Sequence, residues 1–382
     1  MAATAALAAT GTIPPFLYAG ERRLATYPEK TALLLLTARP PQLETPLAYF
    51  RELITPNEAL FVRWHLANIP TSVDLATWRL VIRGQVEREL SLSFDDLKRF
   101  EKTGYTAVNQ CSGNGRSFFD PPIMGGQWQN GAMGNVTWSG VRLKDLLSRA
   151  GLKPGAVEVY FRGLDRAGMP AVQDYRKSLA LDKALEDDIL IAYEMNGREL
   201  PMLNGFPVRL VVPGWYATYW VKSLSDIEVA EKPSDSFWMK TAYRIPDTPC
   251  GCVEPGGVPK KTVPITRMTT RSLLIHPEGG SRHRAGRPIE LMGIAFSGGY
   301  SIKEVLVSVD GGGSWRPARL GKDLGRYSWI QWFHPWKPVK PGRYTIMVRA
   351  TNSIGESQPR EILWNPSGYL MNRIDKQTLI VV

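Results

Sequence analysis

Residues 108–119 read VNQCSGNGRSFF, a strand-like approach that ends at Cys111 and is followed at once by Ser112-Gly113-Asn114-Gly115-Arg116. A free cysteine is most often a small buried hydrophobe. The neighbours argue for more. Gly113 and Gly115 permit close backbone approach by something bulky, and Arg116 can stabilise a thiolate. A thiolate is a soft ligand suited to a heavy, oxidisable metal. No Cys/His cluster at metal spacing accompanies Cys111, so such a metal takes its other ligands from a cofactor.

Working outward, 382 residues are enough for two or three domains. Gly (35), Pro (29) and Trp (12) are frequent, which points to many turns and aromatic packing in a β-rich globular protein. "WRLVIRG" (78–84), "VEVYFRGLD" and "FPVRLVVPG" read as strands. "SFDDLKRF" opens a helix with Ser93 as N-cap, and "VRLKDLLSRAGL" is an amphipathic helix that stops at Gly151. Strands with segregated helices predict an α+β domain. From about Val263 the helix signals vanish. "IKEVLVSVDGGGSWRPARL" reads as a hairpin around Asp310-Gly311-Gly312-Gly313, and "GRYTIMVRATNSIGE" alternates cleanly. Such spacing predicts a β-sandwich. The expected division is a lead-in over 1–45, a catalytic domain over 46–255 and a sandwich over 256–382, with "CVEPGGVPKKTVPI" as linker.

The net charge of +11 is spread among acids, and the densest basic runs, Lys260-Lys261 and Arg282 to Arg287, are too short for a nucleic-acid arm. A diffuse positive field suits a small anion or an acidic protein partner. No CxxCH occurs, and "HPEGG" at His276 reads as a turn rather than a haem ligand. No apolar stretch is long enough to span a membrane. The start, "MAATAALAATGTIPPFLYAGERR", reads as a poorly ordered tail or as the remainder of an export signal, with Arg22-Arg23 in the wrong order for a twin-arginine signal.

Three further stretches carry candidate chemistry. In "FVRWHLANIP", strand alternation puts Arg63 and His65 on one face, an oxyanion pocket or a surface strand with a satisfied histidine. Arg209 and Lys222 lie amid apolar strands, where a cation wants an anionic partner such as phosphate; snorkelling explains them equally well. Tyr243, in "FWMKTAYRIPD", reads alone as a core tyrosine with a satisfied hydroxyl. Cys250 and Cys252 have no derivable role, and CxC spacing disfavours a disulfide.

Together "FVRWHLANIP", "NQCSGNGRS", "GAMGNVTWSGVRLKDLL", "IAYEMNGRELPMLNGFPVRLVVPGWYATYWVKSL", "FWMKTAYRIPD" and "VSVDGGGSW" give a chain that resembles the sulfite oxidase family of molybdenum enzymes, and within it the bacterial sulfite dehydrogenases, from about Thr55 to Val382. The resemblance implies a mixed-sheet molybdopterin-binding domain followed by an immunoglobulin-like β-sandwich that mediates dimerisation. It implies Cys111 as the one protein ligand to molybdenum in a molybdenum–molybdopterin cofactor. Arg63, Arg116, Tyr243 and His65 then line the substrate pocket. Phe61, Val62, Arg63, Trp64, His65, Asp165, Asn204, Arg209, Trp220, Val221 and Lys222 match the stretches that hold the pterin and its phosphate, with Asn204 where animal members carry His. The short lead-in leaves no room for the haem domain of the animal enzymes. The expected activity is oxidation of sulfite to sulfate with a c-type cytochrome as acceptor, in the periplasm, as a homodimer or with a cytochrome subunit. A sulfur dehydrogenase acting on a carrier-bound sulfane, and a β-sandwich binding module that has lost catalysis, are the competing readings. "YSWIQWFHPWKP" suggests a protein contact or core packing.

Overall fold

The computed structural model describes residues 22–382, so the reading of the first 21 residues as tail or signal lies outside the described residues. Sheets dominate and the α-helices are few and short. The Cys111 approach is a strand, Thr103–Gln110, paired antiparallel with Met133–Arg142 along its whole length, from Thr103 opposite Gly140 to Gln110 opposite Met133. Leu190–Met195 pairs with the other side of Met133–Arg142, and Arg209–Val211 pairs with Leu190–Met195. This sheet therefore carries both Cys111 and Arg209.

A second sheet orders Arg176–Ala180, Glu158–Gly163, Leu224–Ala230, Leu80–Gly84 and Leu90–Leu92. Leu224–Ala230 runs parallel to Leu80–Gly84 and antiparallel to Glu158–Gly163, so the sheet is mixed, as expected. The helix Leu143–Ala150 turns Leu143, Leu146, Leu147 and Ala150 into the core between the sheets and ends at Gly151, whose φ of 73° a side chain would resist. Helix Phe94–Lys98 starts in a reciprocal cap: the Asp96 N–H donates to Ser93 Oγ, and the Ser93 N–H donates to the Asp96 carboxylate.

The lead-in folds as part of the first unit. Leu24–Ala25, Leu33–Thr37 and Gln42–Glu44 make a four-stranded sheet with Val62–Arg63, and Gln42 lies opposite Arg63. The chain set apart as a lead-in thus holds one of the candidate site residues in place.

Beyond Ile265 two sheets face each other. One orders Arg271–His276, Ile289–Phe296, Ile330–Trp336 and Arg319–Leu320; the other orders Arg282–His283, Asp375–Val381, Gly342–Asn352, Ile302–Ser308 and Arg316–Pro317. Leu274, Leu291 and Trp332 from one meet Val305, Val307, Ile346, Val348 and Leu379 from the other. The predicted hairpin closes with Val307 opposite Arg316, and the Asp310 carboxylate accepts from Ser314 N, Ser314 Oγ and Ser308 Oγ. The Trp-rich stretch is mostly core: Trp329 and Trp332 are fully buried, and their indole N–H groups donate to Leu53 O and Ser272 Oγ.

Cys250 and Cys252 correct the sequence reading, because they are joined in a disulfide. Gly251 between them has φ 60°, a left-handed turn that brings their Cα atoms to 5.1 Å.

Leu291 is fully buried between the two facing sheets. Leu291→Ala should lower the stability of that unit by about 2–5 kcal/mol, read from the shift of its urea-unfolding transition.

Candidate active site

The chain leaves the strand Thr103–Gln110 at Cys111 and turns at once. The Cys111 N–H donates to Ala132 O (2.9 Å), the Asn114 N–H donates to Cys111 O (3.0 Å), and Asn114 Oδ1 accepts from Ala132 N (3.0 Å). The thiol is thereby fixed at the junction of two cavities. The inner one, about 410 Å³, is lined by Phe61, Arg63, His65, Asn109, Cys111, Ser112, Leu203, Asn204, Arg209, Ala217, Thr218, Lys222 and Tyr243. The outer one, about 850 Å³, opens beside Arg116, Trp128, Trp238 and Tyr369. Arg63, Cys111, Ser112 and Tyr243 line both.

The two glycines of the opening motif do have bulky neighbours, and those neighbours are the protein's own. A Cβ on Gly113 would sit 2.9 Å from both Nη atoms of Arg116, and one on Gly115 would sit 2.5 Å from Met371 Cγ. Gly125 and Gly368 close on the same guanidinium at 2.8 and 2.9 Å. Three glycines from separate segments thus form a slot for Arg116. Its Nη atoms donate to Gly126 O and Ser367 O, and it lies over the Tyr369 ring.

Arg63 donates from Nη1 to Trp64 O (2.8 Å). Burial opposes its charge, but the acidic side chains of Tyr243 and Cys111 outweigh that and hold its pKa above the usual range. His65 stacks on Tyr175 at 3.7 Å between ring centres, and its Nε2 meets the Tyr243 hydroxyl. Burial, then Arg63, Lys222 and Lys177, drive the His65 pKa well below its usual value. The imidazole is therefore neutral and accepts from Tyr243, whose own pKa burial raises. Beneath this pair Lys177 is fully buried, donates to Trp238 O (2.7 Å) and lies 5.2 Å from the Tyr243 ring centre; burial lowers its pKa to about 7.

The inner cavity is cationic. Arg209 donates to Asn204 O (2.9 Å) and Trp220 O (3.2 Å), sits 4.8 Å from the Trp138 ring centre, and pairs with no carboxylate among the described residues. Burial lowers its pKa to about 9. Lys222 donates to Arg63 O (2.7 Å); burial and then Arg209 lower its pKa to about 7. Arg209 Nε, Asn109 Nδ2, Asn204 Oδ1 and Ser112 Oγ are buried without a partner. Orphaned donors and acceptors around an uncompensated guanidinium fit a polar, phosphate-bearing group beside the thiol.

Comparison with known proteins decides the family. Residues 66–238 match the oxidoreductase molybdopterin binding domain and residues 262–379 the Mo-co oxidoreductase dimerisation domain. Sulfite oxidase of Gallus gallus is 36% identical over 361 residues, which cover 90% of this chain and 77% of that one. The chain belongs to the sulfite oxidase family of molybdenum enzymes. Mitochondrial sulfite oxidase of Rattus norvegicus is 34% identical and covers 89% of this chain, which spans 64% of that protein's length. Nitrate reductase [NADH] of Volvox carteri is 31% identical, with 42% of its length spanned. The crystal structure of the sulfane dehydrogenase SoxCD from Paracoccus pantotrophus superposes with a TM-score of 0.78 at 27% identity, covering 97% of this chain and 90% of that one.

Within this family site, the structure gathers Arg63, His65, Cys111, Tyr243, Phe61, Asn204, Arg209 and Lys222 around the inner cavity, with Arg116 at the outer one. Asp165 is buried behind the lining, where burial raises its pKa to about 6 against the pull of Lys222. Val62, Trp64, Trp220 and Val221 do not line either cavity; their side chains are buried in the core. Trp64 donates to Leu203 O and Trp220 to Trp215 O. The sequence reading missed Asn109, Ser112, Thr218, Lys177 and Tyr369. Asn109 was within reach, since it stands two positions before Cys111 and strand alternation places both on one face.

If Arg209 faces the anionic end of the pterin, purified Arg209→Met should carry at least roughly tenfold less pterin, by chromatography of the oxidised pterin, with far-ultraviolet dichroism unchanged.

Proposed function

We propose that this enzyme oxidises sulfite to sulfate and passes the two electrons to a c-type cytochrome. One observation carries the reading: the Cys111 thiol stands in the wall between a cationic inner cavity with orphaned polar atoms and an outer cavity that presents Arg63, Arg116 and Tyr243. Molybdenum–molybdopterin fits the inner cavity, with Cys111 as protein ligand and Asn109, Ser112, Asn204, Arg209 and Lys222 as its polar contacts. Bound there, the cofactor supplies oxygen transfer and storage for two electrons.

The protein's residues supply binding and orientation. Sulfite is a dianion near neutral pH, and Arg63 and Arg116, which both line the outer cavity, offset its desolvation. Tyr243 stays protonated and donates to an oxyanion or to His65. His65 stays neutral and, as acceptor, fixes the direction of the Tyr243 hydroxyl. In the net change sulfite and water become sulfate, two electrons and two protons. Oxygen gain at sulfur leaves one more oxygen to be hydrogen-bonded, which these donors can meet as the product forms.

The outer mouth of about 850 Å³ is large for a four-atom oxyanion. That volume, and the likeness to a sulfane dehydrogenase, support a second reading: oxidation of a sulfane carried on a partner protein. We assign the second unit, on its two facing sheets and its match to a dimerisation domain, as an immunoglobulin-like sandwich through which the chain forms a homodimer. A heterodimer with the cytochrome is the other arrangement. We place the enzyme in the periplasm; the chain has no CxxCH, so no haem is attached through that motif.

Molybdenum analysis together with sulfite-dependent reduction of cytochrome c tests the reading, with nitrate and carrier-bound sulfane as rival substrates. Cys111→Ser should be folded and inactive; an active variant would exclude ligation by the thiol. Arg63→Gln should raise KM for sulfite by at least about tenfold, the order expected for losing one charge-assisted hydrogen bond. Unchanged sulfite kinetics in Arg63→Gln would refute the pocket.

A further inference from the structure

A third cleft, about 590 Å³, lies behind the Cys111 loop, where the sandwich meets the first unit. Arg271, Arg373, Lys376, Asn130 and Gln377 line it, together with one carboxylate, Asp375. Arg271 is 3% exposed, and its hydrogen bonds go only to neutral oxygens, Asn130 Oδ1 at 2.6 Å and Asn114 O at 3.5 Å. Among the described residues none of the three cations forms a salt bridge. Asp375 accepts from Leu274 N (2.9 Å) and Gln377 Nε2 (3.2 Å), and it meets Arg271 only through space. Three cations against one committed carboxylate leave a net positive cleft with a buried guanidinium at its base. Desolvating such a group is costly when no salt bridge compensates it, and burial lowers the Arg271 pKa to about 10 against the through-space pull of Tyr216, Asp375 and Glu44.

We propose that this cleft is a second oxyanion site, separate from the catalytic mouth, that takes a small doubly charged anion of the sulfate class. Arg271 forms its floor, and Arg373 and Lys376 form its rim. A planar guanidinium at the base suits two oxygens of one anion, and flexible cations at the rim complete the charge. The floor also reaches the reactive loop. Asn114 is three residues from Cys111, and Met371, which lines the cleft, packs where a Cβ on Gly115 would stand. An anion here competes with Asn114 O and Asn130 Oδ1 for Arg271, so occupancy is felt at the loop that carries the thiol.

The test uses the full chain and inorganic sulfate, with phosphate and sodium chloride at matched ionic strength as controls. Arg63→Gln weakens the catalytic mouth, so any remaining sulfate response reports the second cleft. In that background sulfate at about 100 times its Kd should raise Tm by roughly 2–4 °C over chloride. Adding Arg373→Gln and Lys376→Gln, both near the surface, should remove the shift. Phosphate matching sulfate identifies a general oxyanion site; sulfate alone identifies a selective one. No sulfate shift in Arg63→Gln, or a shift that survives loss of the rim cations, overturns the proposal. The thermal readout does not depend on turnover, so failure here and failure of the sulfite reading are told apart.

Discussion

A buried guanidinium without a carboxylate is the constraint around which this molecule is arranged. Arg209 is buried among Trp138, Trp220 and backbone carbonyls, and those carbonyls satisfy its Nη atoms but not its charge. Carbonyl dipoles offset part of the cost of desolvation, and the remainder favours whatever anion can enter. Lys222 repeats the arrangement from the far side of Arg63, held by the Arg63 carbonyl. The inner cavity is therefore a place where the apo protein is electrostatically incomplete. Binding an anionic cofactor supplies the missing charge, so binding and folding stability are linked.

The same logic sets the division of labour at the mouth. Burial first, and then the field of Arg63, Lys222 and Lys177, keep the His65 imidazole neutral. A neutral ring can accept from Tyr243, which fixes the direction of that hydrogen bond. Had a carboxylate stood where Tyr175 stacks, the ring would be charged and Tyr243 would lose its acceptor. Burial does the rest, since it also raises the Tyr243 pKa.

What was legible in the sequence was local. The strand before Cys111, the Ser93 cap and the Asp310 hairpin each depend on residues within a few positions of one another, so the pattern and the structure coincide. The disulfide was misread for a related reason. CxC spacing disfavours a bridge in extended chain, and here the turn at Gly251 brings the two Cα atoms to 5.1 Å. Family stretches mix lining with core positions: Val62 and Trp64 alternate with Phe61, Arg63 and His65 and turn into the core, while Trp220 and Val221 are both buried just before Lys222. Tyr369 and Ser367 left no local trace, because they reach the mouth from more than a hundred residues beyond Tyr243.

Those last two residues bear on what the second unit is for. Ser367 accepts from Arg116, Gly368 closes the slot that holds its guanidinium, and Tyr369 stacks on Tyr243 at 5.6 Å with the rings 7° from parallel. From the sandwich, Arg271 holds Asn130 beside the Cys111 turn. The segment that returns toward the sandwich's last strand therefore makes one wall of the mouth, and the sandwich braces the loop behind the thiol. A unit matched as a dimerisation domain thus contributes directly to the wall of the outer cavity. Cutting the chain at the linker would remove the acceptor that orients Arg116, the ring that supports Tyr243 and the guanidinium that anchors the loop, all at once. The two units are separable in sequence, but the site requires both.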